Sequence, residues 1–350
     1  MGMLREPITG PSAWDRAAME RDPSWILRLT PAQAAEVDAA VERVAARGLR
    51  GAEFGREDFP LPTLAPLLAR ALRDLETGRG VVLLRGLPVD PLDVERAGRI
   101  AWGLGVHLGR PLRQIPRVNL AGWRDNLIGH IADQGIDYNA PNAIGSGTSA
   151  EQMPHVDGSD LVALLCVRPA ADGGGVSRVV SSMRIYNALL ERHPDLLEVL
   201  YEGFYHDLRG DEAKGSGLRV TPHRIPVFSW FGGVLSCNFN VKTVEQGAAK
   251  RGVPLSPRER AALDAMLALA LDPAFSIEMR FESGDFQLVN NYTVLHSRTA
   301  WRDPPEPERR RLLLRLWLKS FASRPLAPDF AGGYVTGAAH DVSRATLAAS

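Results

Sequence analysis

Apolar and polar positions divide the chain into short strand-like runs and a few helical stripes. The unbroken apolar run Gly80-Val-Val-Leu-Leu-Arg85 predicts a buried strand, and residues 161–167 predict another. Near the end, Arg311, Leu313, Arg315 and Trp317 alternate with Leu312, Leu314, Leu316 and Leu318. As a strand, this segment turns leucines to one face and arginines to the other. Shorter runs at 226–231 and 234–239 predict two more strands, and 281–301 predicts two around a turn at Ser283-Gly284-Asp285. Helices carry their own marks. Thr30-Pro-Ala-Gln33 is a capping box with proline in the first turn, Val37, Val41 and Val44 give the stripe, and Gly48 ends it. Residues 57–76 predict a helical stretch interrupted by prolines, 94–108 a helix carrying Ile100, Trp102 and Leu104, and Ser256-Pro-Arg-Glu259 opens one to about Leu271. Ser181 or Ser182 caps another, through Ile185, Leu189 and Leu190.

Between these elements, residues 110–154 are polar and glycine-rich, with Tyr138, Asn139 and Asn142. A loop this long in a compact domain is expected to serve function, here as a wall or lid of a site. The organisation expected is a helical extension over 1–75, a main domain over 76–322 with the 110–154 loop and an insert at 205–275, and a loosely held tail over 323–350.

Composition adds exclusions. The chain has 350 residues, 45% hydrophobic and 23% charged, with formal net charge zero. Nothing there marks a nucleic-acid or anionic-membrane surface. No apolar run approaches a membrane span, and the first residues lack a signal-peptide pattern. The two cysteines, Cys166 and Cys237, lie in apolar surroundings and read as small core residues, which fits a reducing cytoplasm. The oligomeric state stays open, a homo-oligomer being compatible with the chain.

Candidate chemistry centres on Glu151-Gln-Met-Pro-His155-Val-Asp157. On a strand, a His-x-Asp pair puts both side chains on one face. A second histidine, His296, stands far downstream. Two histidines and one carboxylate on one side of a metal form the facial triad of non-heme Fe(II) oxygenases. Taken alone, a His-x-Asp pair is more often a surface or satisfied core pair. Asn290 and Tyr292 fall on the His296 face if that strand is regular, either to fix a ligand or to satisfy each other. The arginine face at 311–317 needs an anion or a solvated sheet edge. Asp172-Gly-Gly-Gly-Val-Ser177 reads as a turn leading into a strand that begins with a hydroxyl. His107, His193 and His340 follow no metal spacing, and His130, His206 and His223 lie in polar stretches that read as satisfied or solvated.

Together, His155-Val-Asp157, Gly174-Gly-Val-Ser177, His296-Ser-Arg-Thr299 and Arg311-Leu-Leu-Leu-Arg315 resemble, in order and spacing, the TauD/TfdA family of Fe(II)- and 2-oxoglutarate-dependent dioxygenases, over about residues 75–320. The resemblance implies that His155, Asp157 and His296 ligate iron. It implies that Arg311 holds the far carboxylate of 2-oxoglutarate, with Ser177 where the family usually has threonine. Arg315 matches a second arginine that reaches the co-substrate or an anionic substrate. The implied reaction consumes O2 and 2-oxoglutarate, releases succinate and CO2, and oxidises an unactivated C–H of a small organic substrate, most simply by hydroxylation. Asp157 argues against the halogenating relatives, which lack this carboxylate, and leans away from members that act on free amino acids, which mostly use glutamate. The fold implied is α+β with a mainly β core: a double-stranded β-helix, a cupin-like jelly roll, with flanking helices. Its strand pairing brings distant residues such as His155 and His296 together. The alternatives are a non-oxidative cupin-like metal protein or isomerase, a catalytically silent scaffold, and a desaturase or cyclase within the same family.

Overall fold

The computed structural model describes residues 2–114, 127–138, 145–208 and 218–330. The first elements are α1 (Arg16–Arg21), β1 (Ile26–Arg28), α2 (Pro31–Ala46), α3 (Ala65–Thr77), β2 (Val81–Arg85), α4 (Val94–Leu108) and β3 (Gly109–Leu112). Then come β4 (Gly129–Ile131), β5 (Gln152–His155), β6 (Leu161–Arg168), β7 (Ser177–Ser181), α5 (Ser182–Arg192), α6 (Pro194–Glu202), β8 (Phe228–Phe231) and β9 (Val234–Cys237). The rest are α7 (Val241–Arg251), α8 (Pro257–Leu271), β10 (Ser276–Met279), β11 (Phe286–Asn290), β12 (Val294–Arg298) and β13 (Leu312–Ser320).

Two sheets make the core. The larger runs β1-β2-β11-β6-β13-β3, with β4 also on β13, and the smaller runs β10-β7-β12-β5. Their inner faces meet: Val81, Val162, Val289 and Trp317 of the larger sheet share one apolar cluster with Val179, Ile277, Met279 and Val294 of the smaller. The outer face of the larger sheet is equally apolar. There Val82, Leu84, Leu165, Leu288, Leu312, Leu314, Leu316 and Leu318 pack with α2, α3 and α4. β2 is thus buried on both faces, which is why its sequence shows no alternation. β13 alternates because Leu312, Leu314, Leu316 and Leu318 face the helices, while Leu313, Arg315 and Trp317, with Arg311 just before the strand, face a pocket between the sheets. Each fully buried leucine contributes about 1.5–3 kcal/mol. A second core lies against the smaller sheet, where Val180 and Leu295 join α5, α6, α8 and the β8–β9 hairpin.

The helix ends follow the sequence signals. The Thr30 and Ser256 hydroxyls accept from the backbone N–H of Gln33 and Glu259, whose side chains reach back to the capping residues. Ser181 caps α5, its hydroxyl accepting from Arg184 N–H at 2.9 Å. α3 starts only at Ala65, because Pro60 and Pro62 disfavour helix before it. The segment expected as one long loop carries β3, β4 and β5, since β13 and β12 offer edges for them to pair with; its residues 115–126 and 139–144, Asn139 and Asn142 included, lie outside the described residues. The first part of the expected loose tail is packed: Ala327 and Phe330 are fully buried with Ile225 and Tyr292. Residues 331–350, with His340, lie outside the described residues. Cys166 and Cys237 are buried and unbridged. Among the described residues, no helix is long and apolar enough to cross a membrane.

Candidate metal centre and co-substrate pocket

β5 and β12 pair antiparallel, with His296 directly opposite His155. Their ring centroids are 4.5 Å apart. Just past the end of β5, Asp157 turns back toward both: His155 Nε2 lies 3.9 Å from Oδ1, and His296 Nε2 lies 3.9 Å from Oδ2. The three donor atoms all fall within 4.8 Å of one another. Asn291 secures the loop that carries Asp157. Its side-chain oxygen accepts from Asp157 N–H at 3.2 Å, and its amide donates to the Ser159 carbonyl at 2.8 Å.

The protonation pattern suits a divalent metal. His155 Nδ1–H donates to the Met153 carbonyl at 2.7 Å, which orients the ring with Nε2 toward Asp157. Burial, reinforced by His155, pushes the His296 imidazole down to about 3 and keeps it neutral. Burial alone would raise the Asp157 carboxyl, but the Arg315 guanidinium, with the Trp317 N–H, holds it well below the usual carboxylate range. Two histidines and one ionised carboxylate on one side of a pocket are the donor set that non-heme Fe(II) takes, with positions left for other ligands. The residues present therefore fit the metal.

Arg311 is buried at 3% exposure, just before β13. Its Nη2 donates to the Gly175 carbonyl at 3.4 Å, its Nη1 is buried without a partner, and its side chain makes no ion pair among the described residues. Burial brings its guanidinium down to about 10, still protonated at neutral pH. Gly175 has φ +63°, and a Cβ there would meet Arg311 Nε at 2.6 Å, so only glycine lets the chain pass this close. Ser177, also buried, exchanges a hydrogen bond with Gln287 of β11 at 3.0 Å. Arg311, Ser177 and Gln287 line the same pocket as the histidines and Asp157.

Arg315 is more committed than the sequence suggests. Its Nε donates to Gln114 Oε1 at 2.8 Å and its Nη1 to Asp157 Oδ2 at 3.0 Å. It faces the pocket but holds a carboxylate of the protein itself. Asn290 and Tyr292 do not share the face of His296, because a turn at 291–293 separates β11 from β12. Tyr292 instead donates to Asp160 at 2.6 Å, and Asn290 donates to Glu76 at 3.2 Å. His107, His130, His206 and His223 lie outside the pocket lining. Sequence reasoning passed over Gln114, Gln287, Asn291, Lys242 and Arg298. Only Arg298 had a legible signal, standing two positions after His296 on one strand.

A jelly roll whose paired strands carry this donor set beside an arginine-lined pocket defines a non-heme iron oxygenase. The description "Taurine catabolism dioxygenase TauD, TfdA family" matches residues 45–317, and the chain belongs to that family, the Fe(II)- and 2-oxoglutarate-dependent dioxygenases. It is 34% identical over 320 residues to the FR-33289 synthase of Streptomyces rubellomurinus, covering 90% of this chain and 91% of that protein. It is 28% identical to the taurine hydroxylase-like protein SAT17 of Stachybotrys chartarum, covering 87% of this chain and 77% of that one. Among solved structures, asparagine oxygenase with Fe(II), 3-hydroxyasparagine and succinate superposes with TM-score 0.66 at 19% identity, over 84% of this chain and 93% of that one. The oxygenase OrfP with iron and α-ketoglutaric acid gives TM-score 0.61 at 16% identity, over 84% and 93%. At such identities these two show a shared fold. Family membership sets aside the non-oxidative cupin-like reading and the silent scaffold. The cofactors are Fe(II), 2-oxoglutarate and O2.

Proposed function

We propose that His155, Asp157 and His296 hold the iron, that Arg311 with Ser177 holds the far carboxylate of 2-oxoglutarate, and that the chain hydroxylates an unactivated C–H of a small organic molecule bearing an anionic group. The observation that carries the reading is the facing of His155 and His296 across β5 and β12 with Asp157 between them. When bound, the iron supplies the oxidising chemistry that cleaves the C–H bond, with 2-oxoglutarate as the electron donor. The protein's part is placement. His155 is oriented by Met153, Asp157 by Asn291, Arg315 and Trp317, and the buried Arg311 offers the far carboxylate a charge-assisted, forked partner.

The anionic group is supported by charge. Among the described lining residues, Arg298, Arg311, Arg315 and Lys242 are cationic and Asp157 alone is acidic. A divalent metal and doubly charged 2-oxoglutarate cancel, which leaves the lining as a whole net positive and favours an anion in what remains of the pocket. Lys242 lines the same pocket, its ammonium 3.5 Å from the centre of the Tyr138 ring. The 110–154 segment, which supplies Ile131, Tyr138, Gly145, Ser146 and Gln152 to the lining, is the source we assign to specificity. A cytoplasmic setting is supported by the two unbridged cysteines.

The test is succinate formation from 2-oxoglutarate under Fe(II), ascorbate and air, scored with a mass-spectrometric screen of small anionic and neutral molecules. Gain of one oxygen in an acid, coupled to succinate, is the expected outcome. Loss of two hydrogens would replace hydroxylation with desaturation or ring closure. Turnover restricted to uncharged molecules would remove the anionic group from the reading.

A further inference from the structure

Arg298 lines the pocket two residues beyond His296 on β12, on the same strand face. Its partner across the ladder is Ser177. The guanidinium carbon of Arg298 lies 4.2 Å from the centre of the Trp301 ring, and that of Arg311 lies 4.5 Å from the same ring. Two buried cations thus share one indole, and neither has a carboxylate partner among the described residues. Like charges buried together cost free energy until an anion meets them.

The hydrogen bonds of Arg298 account for only part of its guanidinium. Nη2 donates to the carbonyls of Thr148 and Ala150 at 2.7 Å each and of Gly145 at 3.4 Å. Nε is buried with no partner, as is Nη1 of Arg311. A residue that merely braced the 145–150 backbone would not need a second buried cation beside it.

We propose that Arg298 is a second cationic contact for the far carboxylate of 2-oxoglutarate, acting beside Arg311 and Ser177; this rests on the clamp assigned above to Arg311. The same guanidinium holds the carbonyls of the pocket wall, so co-substrate binding and the seating of residues 145–150 are linked through one side chain.

The experiment is an anaerobic calorimetric titration of the Fe(II)-loaded protein with 2-oxoglutarate and, separately, with oxalate. Oxalate chelates a metal but has no far carboxylate. Arg298→Gln is expected to weaken 2-oxoglutarate binding about tenfold, the worth of one charge-assisted hydrogen bond, and to leave oxalate unchanged. Arg298→Lys, which keeps the charge but not the fork, is expected to lose about threefold for 2-oxoglutarate alone. Unchanged 2-oxoglutarate affinity in Arg298→Gln overturns the proposal, and so does an equal loss for both ligands, which would mark a purely structural role. Should thermal melts show that Arg298→Gln does not fold, Arg298→Lys decides by the same pair of ligands, wild-type affinity for both overturning the proposal. Arg311→Gln is titrated in parallel. If it weakens 2-oxoglutarate while Arg298→Gln does not, this inference alone falls; if neither does, the clamp reading falls with it.

Discussion

Arg315 and Trp317 donate to one and the same oxygen of Asp157, each at 3.0 Å. The two carboxylate oxygens are therefore not equivalent. Oδ2 is held by two donors from β13, and Oδ1 faces His155 with no such claim on it. Arg315→Gln is expected to weaken Fe(II) binding by about 1.5–3 kcal/mol, since it removes a charged hydrogen bond that fixes a ligand. Competition with a coloured chelator measures this. Wild-type iron affinity with a raised KM for the primary substrate would instead assign Arg315 to substrate.

His155→Ala and Asp157→Ala are each expected to abolish succinate production and to leave the purified protein with little iron after reconstitution. Elemental analysis and the succinate assay report these together. Full turnover at wild-type iron content in both variants would remove these residues from the metal site.

Arg311→Ala is expected to raise KM for 2-oxoglutarate by roughly tenfold or more, because a buried charge-assisted contact is worth about 1.5–3 kcal/mol. Ser177→Ala is expected to cost less, as its hydroxyl already has Gln287 for a partner. Steady-state kinetics with varied 2-oxoglutarate checks both. A large effect at Arg309 or Arg310 with none at Arg311 would show the wrong arginine of the run was chosen.

Lys242→Gln is expected to raise KM for the anionic primary substrate severalfold while KM for 2-oxoglutarate holds, since Lys242 lines the pocket beside Tyr138 of the 110–154 segment to which specificity is assigned. The opposite split would move Lys242 to the co-substrate.

Glu76 carries a pH signature. Burial pushes its carboxyl up, against the pull of Arg324 and the hydrogen bond from Asn290, with Asp160 adding to the rise. A carboxyl raised on folding binds its proton more tightly in the native state. Stability is then greatest below the unfolded carboxylate range and falls as pH rises through the raised value. Relative to Glu76→Gln, which keeps an acceptor for Asn290 but does not titrate, the wild type is expected to lose melting temperature between about pH 5 and about pH 8. Parallel melting curves at the two pH values would rule this out.

The strongest periodicities were legible. α4 spans the residues its pattern indicates, and β13 turns Leu312, Leu314, Leu316 and Leu318 away from Arg315 as the alternation requires. What escaped were elements whose stability comes from a neighbour. β4 and β5 are short and half polar, and they exist because β13 and β12 present free edges. α6 and α7 were hidden because their apolar residues face a second core whose other walls are distant in sequence. In the candidate site, the cluster of His155, Asp157 and His296 and the nearby Arg311 were visible through motif spacing. Gln114, Asn291 and Lys242 were not, because each acts through a contact more than a hundred residues away.

The turn at 291–293 carries the chain from the larger sheet to the smaller one, between β11 and β12. Its residue count therefore sets the phase of β12 against β5. One residue more or fewer would rotate His296 to the outer face and bring Leu295 or Ser297 opposite His155, since strand side chains repeat every two residues. The barrel could still close around such a slip, but with an aliphatic or hydroxyl group where an imidazole is needed. Length at this crossing is thus constrained independently of composition.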